Sequence, residues 1–463
     1  MKQKGSQLLK TIMKSRWYPG IIQWPVVLIF GFLTYQLLFG IPSAHENFGT
    51  AMTWVLWWPM IPLVFLMLGR FWCAICPFAT VSDLIQKVVG NNRPVPAFLK
   101  KYGIWIIDVF FIMITWADHV YGIVASPRGS GVMMLIITTG VIAAGAFFER
   151  RTWCRYLCFL GGVAGNYSRS GALQLRGTPE ICAKCTVAAC YKGGTQAPGC
   201  PMFEFPKTMD NNARCNFCGY CVKNCPNDSI AISTRVPSKE LWFIKRPKFE
   251  ESFLAIIIMG IVFVQNITML EIWEQAQRSL EAFLGTTNYA ITFTVTFIIA
   301  MAIPVLMLYL ASWIGSRMNH ETINMNFARF GYSIIPLDLA GHMAHNLFHL
   351  LAEGKSILYT GLALVGVESH GESAAIFGTE TIRILQFIIL GLGAAASIYT
   401  AYRIAKSNYE QREIPGYTAE IAATIETREA NVGVHSHLPF ALLIIVLTAL
   451  NVYFFLLPMA HRM

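Results

Sequence analysis

Nine apolar runs, at roughly 20–40, 52–70, 102–124, 131–149, 252–273, 288–314, 331–352, 381–404 and 437–458, set the terms for this 463-residue chain. Each is close to the ~20 residues that a helix needs to cross a hydrocarbon core. Composition agrees, with 55% hydrophobic and 13% charged residues, against about 25% charged in an average soluble domain. The expected fold class is therefore an all-α polytopic membrane protein with about nine transmembrane helices. A net charge of +10 invites a nucleic-acid reading, but the basic residues follow topology instead. With the N-terminus in the cytoplasm, Lys87, Arg93, Lys100, Lys101, the basic 150–250 segment, Arg317, Arg329 and Arg403 to Arg428 fall inside. Little beyond Arg128, Arg278 and Lys355 falls outside. This is the positive-inside bias, and it points to membrane lipid and away from nucleic acid. The expected setting is the cytoplasmic (inner) membrane of a bacterium or archaeon, with the C-terminus outside. Lys2, Lys4, Lys10, Lys14 and Arg16 give the N-terminus a signal-like look. The apolar run behind them exceeds the roughly 7–15 residues of a signal core, so it is expected to stay.

All twelve cysteines lie between positions 73 and 225. Cys215-x2-Cys218-x2-Cys221-x3-Cys225-Pro226 has the spacing of a bacterial iron–sulfur ligand run, and Cys182-x2-Cys185-x4-Cys190-x9-Cys200-Pro201 is a looser version. In two-cluster ferredoxins the last Cys of each run serves the other cluster. One set is then Cys182, Cys185, Cys190 and Cys225, and the other is Cys215, Cys218, Cys221 and Cys200. Structural zinc also takes four thiolates, but the triple spacing with a terminal Cys-Pro favours iron–sulfur. Two [4Fe-4S] clusters in a cytoplasmic ferredoxin-like insert are expected.

The remaining cysteines form an internal repeat. Arg70-Phe71-Trp72-Cys73-Ala74-Ile75-Cys76 follows the second apolar run, and Arg151-Thr152-Trp153-Cys154-Arg155-Tyr156-Leu157-Cys158 follows the fourth. Two helical hairpins ending at one membrane face would bring both pairs together as parallel repeats. Cys73, Cys76, Cys154 and Cys158 could then hold a third [4Fe-4S] cluster, cycle as dithiols, or serve packing alone. Arg150, Arg151 and Arg155 read either as topology determinants or as neighbours of an anionic cluster.

A last constellation lies in the seventh run. Asp338, His342, His345 and His349 are spaced 4, 3 and 4, so all four share one helical stripe about 16 Å long. Ionisable groups at membrane depth are costly and mark function by default. Asp118 and His119 sit near the same outer end on the third run, with Asp108 deeper. Three readings stand: a quinone site with a proton path, a haem b or metal site in which His119 is the obvious partner, and interhelical pairing for structure alone.

A repeated hairpin ending in a Cys pair, followed by a double ferredoxin run, resembles the membrane polyferredoxins of the NapH/NosR type. The likeness covers roughly residues 20–235. The family's Cys-x3-Cys-Pro motif falls on Cys73, Cys76 and Pro77, one residue short, and on Cys154 and Cys158, followed by Phe159 instead of proline. The resemblance implies quinol oxidation or electron supply across the membrane. Three domains are expected: a four-helix membrane domain over 1–160, a ferredoxin-like domain over 161–250, and a five-helix membrane domain with the histidine stripe over 251–463. The outer loop 353–380 and inner loop 405–436 are the other long connections. The function expected is electron transfer between a quinone site and the clusters, as a quinol dehydrogenase subunit of a larger redox complex. Its partners would be the quinone pool and other redox subunits, among them an exported reductase or cytochrome. The alternative is a maturation or regulatory protein that reduces a metal or thiol for an exported metalloenzyme.

Overall fold

The computed structural model describes residues 2–367, 373–410 and 435–459. Most of the expected inner loop, residues 411–434, lies outside the described residues. Among these residues seven helical stretches are long and apolar enough to cross a membrane: Gly20–Phe39, Phe48–Val89, Pro127–Phe147, Phe249–Ile267, Tyr289–Asn319, Thr379–Ser407 and Leu438–Leu456. The other two expected spans are also helices, Ala97–Tyr121 and Ile335–Ala352. Asp338 and three histidines lower the hydropathy of Ile335–Ala352. The chain forms two compact units, Met1–Pro237 with His349–Ile376, and Ser238–Phe348 with Phe377–Met463. The expected 1–160 segment and most of 161–250 thus share one unit.

In the first unit the sequence repeat is a structural repeat. The Trp58–Leu68 helix ends at Gly69, whose φ of +60 is the left-handed turn a Cβ would strain. A short helix, Trp72–Ile75, carries Cys73. Cys76 is then extended, at ψ 131, and Pro77 opens the Pro77–Val89 helix from its first position, where the missing N–H costs nothing. The second copy runs in parallel. After Pro127–Phe147 comes a left-handed residue, Arg151 (φ 53), then Thr152–Tyr156 carrying Cys154, an extended Cys158, and Phe159–Ser170. No proline is needed at Phe159, because the Cys158 thiol caps that helix by accepting from Gly161 N–H at 3.3 Å.

Both post-cysteine helices turn back onto the spans. Pro77–Val89 packs on Gly20–Phe39 and Pro127–Phe147, and Phe159–Ser170 packs on Trp58–Leu68. The segment after Ser170 is held by a two-stranded antiparallel ribbon, β1 (Leu173–Gly177) and β2 (Ile230–Thr234), with Leu175 opposite Ile232. Leu173, Leu175, Ile230 and Ile232 alternate onto one face, where Phe217, Val222, Met209, Met13 and Tyr18 complete a core. The N-terminal helix Lys2–Lys14 is therefore docked on the ribbon. Lys10 and Lys14 reach the Asp228 carboxylate at 3.0 and 2.8 Å.

In the second unit Phe249–Ile267 is the central helix, buried along most of its length, and it packs against Tyr289–Asn319 and Ile323–Phe330. Close approach in the first unit also depends on Gly140. A Cβ there would lie 2.5 Å from the Trp153 ring. Gly140→Ala is expected to cost about 1–3 kcal/mol through overpacking. Gly31→Ala, which meets nothing within 4 Å, should be neutral or stabilising by up to about 1 kcal/mol from helix propensity. Thermal unfolding of the two variants in one detergent tests the difference in sign.

Candidate metal centres

The structure brings the cysteines of the ferredoxin-like segment around two separate cavities. Cys200, Cys215, Cys218 and Cys221 line one, with Met209 and Phe217. Cys182, Cys185, Cys190 and Cys225 line the other, with Phe205, Lys207 and Ser229. In each, one thiol comes from the neighbouring run. The loop around Cys218 is shaped by left-handed residues, Phe217 at φ 55 and Gly219 at φ 78, which turn the backbone N–H groups of Phe217 and Tyr220 toward the Cys215 and Cys218 sulfurs. Successive inward N–H groups of this kind make an anion-binding nest. The wider gap between Cys185 and Cys190 is taken up by Ala188 (φ 52) and the one-turn helix Ala189–Lys192, so Cys190 still faces its cavity.

Electrostatics separates the two sites. Burial pushes the Cys215 and Cys218 thiols up to about 12, with the neighbouring thiols adding to it. Cys190 is pushed up to about 11 by burial and then by Cys225, Cys182 and Cys185. Cys185 goes the other way: N–H donation from Ala188 and Val187 holds its thiol below the ordinary range. Ser229 stands between two sulfurs of that set, its Oγ 3.3 Å from Cys182 Sγ and 3.4 Å from Cys225 Sγ. Buried thiols with raised pKa values need a cation to be held as thiolates.

The membrane-proximal cysteines also come together. The Cys154 thiol is pushed up to about 12 by burial, with Cys158 and Cys73 contributing. Cys158 is likewise raised to about 12 by burial, then by Cys76 and Cys73. Two arginines, each three residues before the first cysteine of its repeat, hold the halves together. Arg70 Nη2 donates to the Cys154 carbonyl at 3.2 Å, and its Nε lies 3.4 Å from Cys73 Sγ. Arg151 Nη1 donates to the Cys73 carbonyl at 2.7 Å. Each repeat thus clamps the cysteine turn of the other. Arg151 is 1% exposed and forks onto Asp83, with Nε at 3.0 and 3.1 Å from the two carboxylate oxygens.

Among the described residues no three His, Cys, Asp or Glu side chains converge on a point that could hold one metal ion. Four thiols line each of the two cavities, the donor set a four-iron cube takes. The residues fit a cubane cluster.

The three sets form a series. The Arg151 charge acts on both Cys154 and Cys218, and Cys218 packs with Ala74 and Ile75 of the first repeat. Farther on, Cys221 lies near enough to Cys190 for the thiols to repel. The order is the membrane-proximal set, the Cys218 set, then the Cys185 set.

The histidine stripe is only partly one site. In the second unit Asp338, His342 and His345 are buried. His345 Nδ1 is 2.7 Å from Asn266 Oδ1, and Asn266 Nδ2 donates to Asn451 Oδ1 at 3.4 Å. Both oxygens of the Asp338 carboxyl are buried without a hydrogen-bond partner. His349 falls in the first unit, 3.6 Å from Glu353. His119, in that unit too, has Nδ1 2.8 Å from the Thr115 carbonyl, while Asp118 accepts from Val124 N–H at 2.8 Å at the helix end. Sequence reasoning missed Asn266 and Asn451, since neither ionises; their position inside apolar runs was the available signal.

Two segments, 50–96 and 130–176, match the family model described as a 4Fe-4S binding domain. Each contains one copy of the repeat, with Cys73 and Cys76 in the first and Cys154 and Cys158 in the second. Over 272 residues the chain is 26% identical to a protein named “Putative electron transport protein YccM” from Escherichia coli (strain K12), covering 53% of this chain and 71% of that protein. Over 193 residues it is 23% identical to the uncharacterized protein MJ0750 of Methanocaldococcus jannaschii, covering 38% of this chain and 76% of that one. No solved structure matches.

Replacing Arg151 breaks a largely buried ion pair, which costs about 3–5 kcal/mol. The lower end applies because the Asp83 side chain is 32% exposed. Arg151→Met should therefore lower thermal stability clearly. Arg151→Met with Asp83→Leu should recover part of the loss, because no charge is then stranded. A double variant no better than the single one means that Arg151 works through its carbonyl contact alone.

Proposed function

We propose that this chain is a membrane iron–sulfur electron-transfer subunit, moving electrons between a quinone or quinol site and [4Fe-4S] clusters on the cytoplasmic side, within a larger redox complex. The observation that carries the reading is the sorting of twelve cysteines into three neighbouring sets of four. The name of the Escherichia coli relative and the two 4Fe-4S domain matches support it. In this reading Cys182, Cys185, Cys190 and Cys225 hold one cluster, Cys200, Cys215, Cys218 and Cys221 a second, and Cys73, Cys76, Cys154 and Cys158 a third. A bound [4Fe-4S] cluster supplies one-electron storage and release. Arg70 and Arg151 offset the negative charge at the membrane-proximal set and fix its geometry.

The reading makes Ala97–Tyr121 and Ile335–Ala352 the eighth and ninth spans, since Asp108, Asp338, His342 and His345 are all buried within the fold. The Lys and Arg distribution supports placing the N-terminus and the clusters in the cytoplasm and the C-terminus outside. The likeness to polyferredoxins of the NapH/NosR type is part of the proposal, as are partners such as an exported reductase or cytochrome. On the quinone side His345 is the proton acceptor. Its Nδ1 is held 2.7 Å from Asn266 Oδ1, which fixes the ring. Asp338 and His342, buried on the same helix within the second unit, continue the path for the released protons.

Metal analysis tests the relay against metal or thiol reduction for an exported enzyme. Protein purified without oxygen should carry about twelve irons and no copper; eight irons with redox-active Cys73 and Cys76 would favour the alternative. His345→Leu should slow quinol oxidation by about 10²-fold, the scale of losing a positioned base, with cluster EPR signals unchanged. Turnover at the wild-type rate would remove the stripe from the quinone site.

A further inference from the structure

We propose that the surface around Cys185 is the docking face for an acidic, soluble one-electron carrier protein, which exchanges electrons with the chain there. The inference rests on the electron-transfer reading and goes beyond it, because it names the partner and its place. Three observations carry it.

First, the series has an outer end. Cys218 packs against Ala74 and Ile75 of the first repeat, whereas the cavity of Cys182, Cys185, Cys190 and Cys225 is lined by no residue of either repeat. A protein carrier must bring its own redox centre close to the last member of such a series.

Second, that end is at the surface. Lys184, Thr186 and Val187 are exposed beside Cys185. Ile181 is 40% exposed and Val187 58%, which gives an apolar centre of the kind that packs in a transient interface.

Third, the rim is cationic. Lys184, Lys192 and Lys207 are exposed around the cavity, and Lys207 Nζ is 3.3 Å from the Ala183 carbonyl, next to the Cys182–Cys185 turn. Glu180 is the exposed anion on the same short helix. Asp228, between the lining residues Asn227 and Ser229, is a second exposed anion but is paired with Lys10 and Lys14, so the rim stays cationic, complements an acidic partner and would speed its encounter. Lipid has the charge to bind such a rim but no redox centre to serve the cavity inside it.

The exchange is simple in its balance. One electron leaves the reduced carrier and enters the cluster held by the Cys185 set, or the reverse, and no bond forms or breaks.

The test uses the full chain with its clusters, in nanodiscs, with an acidic flavodoxin as probe. Binding is measured directly by biolayer interferometry, and cluster reduction by stopped flow. Lys184→Glu with Lys192→Glu, neither of which lines the cavity, should weaken binding at least about tenfold and flatten its salt dependence. Lys87→Glu, an exposed lysine elsewhere on the same unit, should change neither. Dithionite-reduced EPR spectra, unchanged in the double variant, show that the clusters survive. Equal binding by the double variant and the wild type, or an equal loss with Lys87→Glu, overturns the docking face. Failure of quinol turnover with intact carrier binding would instead sink the quinone reading and leave the docking face standing.

Discussion

The reciprocal arginine clamp is the constraint on which the rest of the first unit depends. Arg70 and Arg151 each reach across to the main chain of the other repeat's first cysteine. A guanidinium can do this because it is planar, carries five donors and keeps its charge when buried. Lysine at position 151 would present a point charge with no fork, and could not serve Asp83 and the Cys73 carbonyl together. The clamp also ties the repeats to the ferredoxin-like segment, since Arg70 Nη1 donates to the Ala213 carbonyl at 2.9 Å, just before the Cys215 run. One pair of side chains thus sets both the spacing within the membrane-proximal set and its distance to the next.

Much of this was legible in the sequence. The Cys spacing groups the thiols because short-range turns leave few ways for four sulfurs to face one space. The repeat was visible because Arg-x-Trp-Cys recurs intact. The partner of Arg151 was not, because Asp83 lies 68 residues away and sits on a helix, Pro77–Val89, whose mixed composition reads as a cytoplasmic loop. Phe159–Ser170 was hidden for the same reason. Its Asn166, Ser168 and Arg169 look like soluble surface, yet all three are buried. The ribbon of β1 and β2 is only five residues a side, too short for its alternation to stand out between the cysteine runs.

The second unit was legible as helices and stripe but not as a network. A titratable file on one helix can be read from spacing alone. The asparagines that receive it cannot, because Asn266 and Asn451 come from helices 185 residues apart in sequence. An amide satisfies both roles, accepting from the imidazole and donating onward, so it fits an apolar interior better than a second charge would.

Because each cavity borrows one thiol from the other run, the first run cannot complete a centre by itself while the chain is still being made. The Cys218 cavity has all its sulfurs only at Cys221, and the Cys185 cavity waits for Cys225, the last of the twelve cysteines to leave the ribosome. The ribbon that closes over them waits for β2, a few residues later. Any metal loading of the two centres is thereby tied to one moment, about halfway through synthesis of the 463-residue chain. A chain halted between the two runs would carry every cysteine of the first and finish neither ferredoxin-like centre.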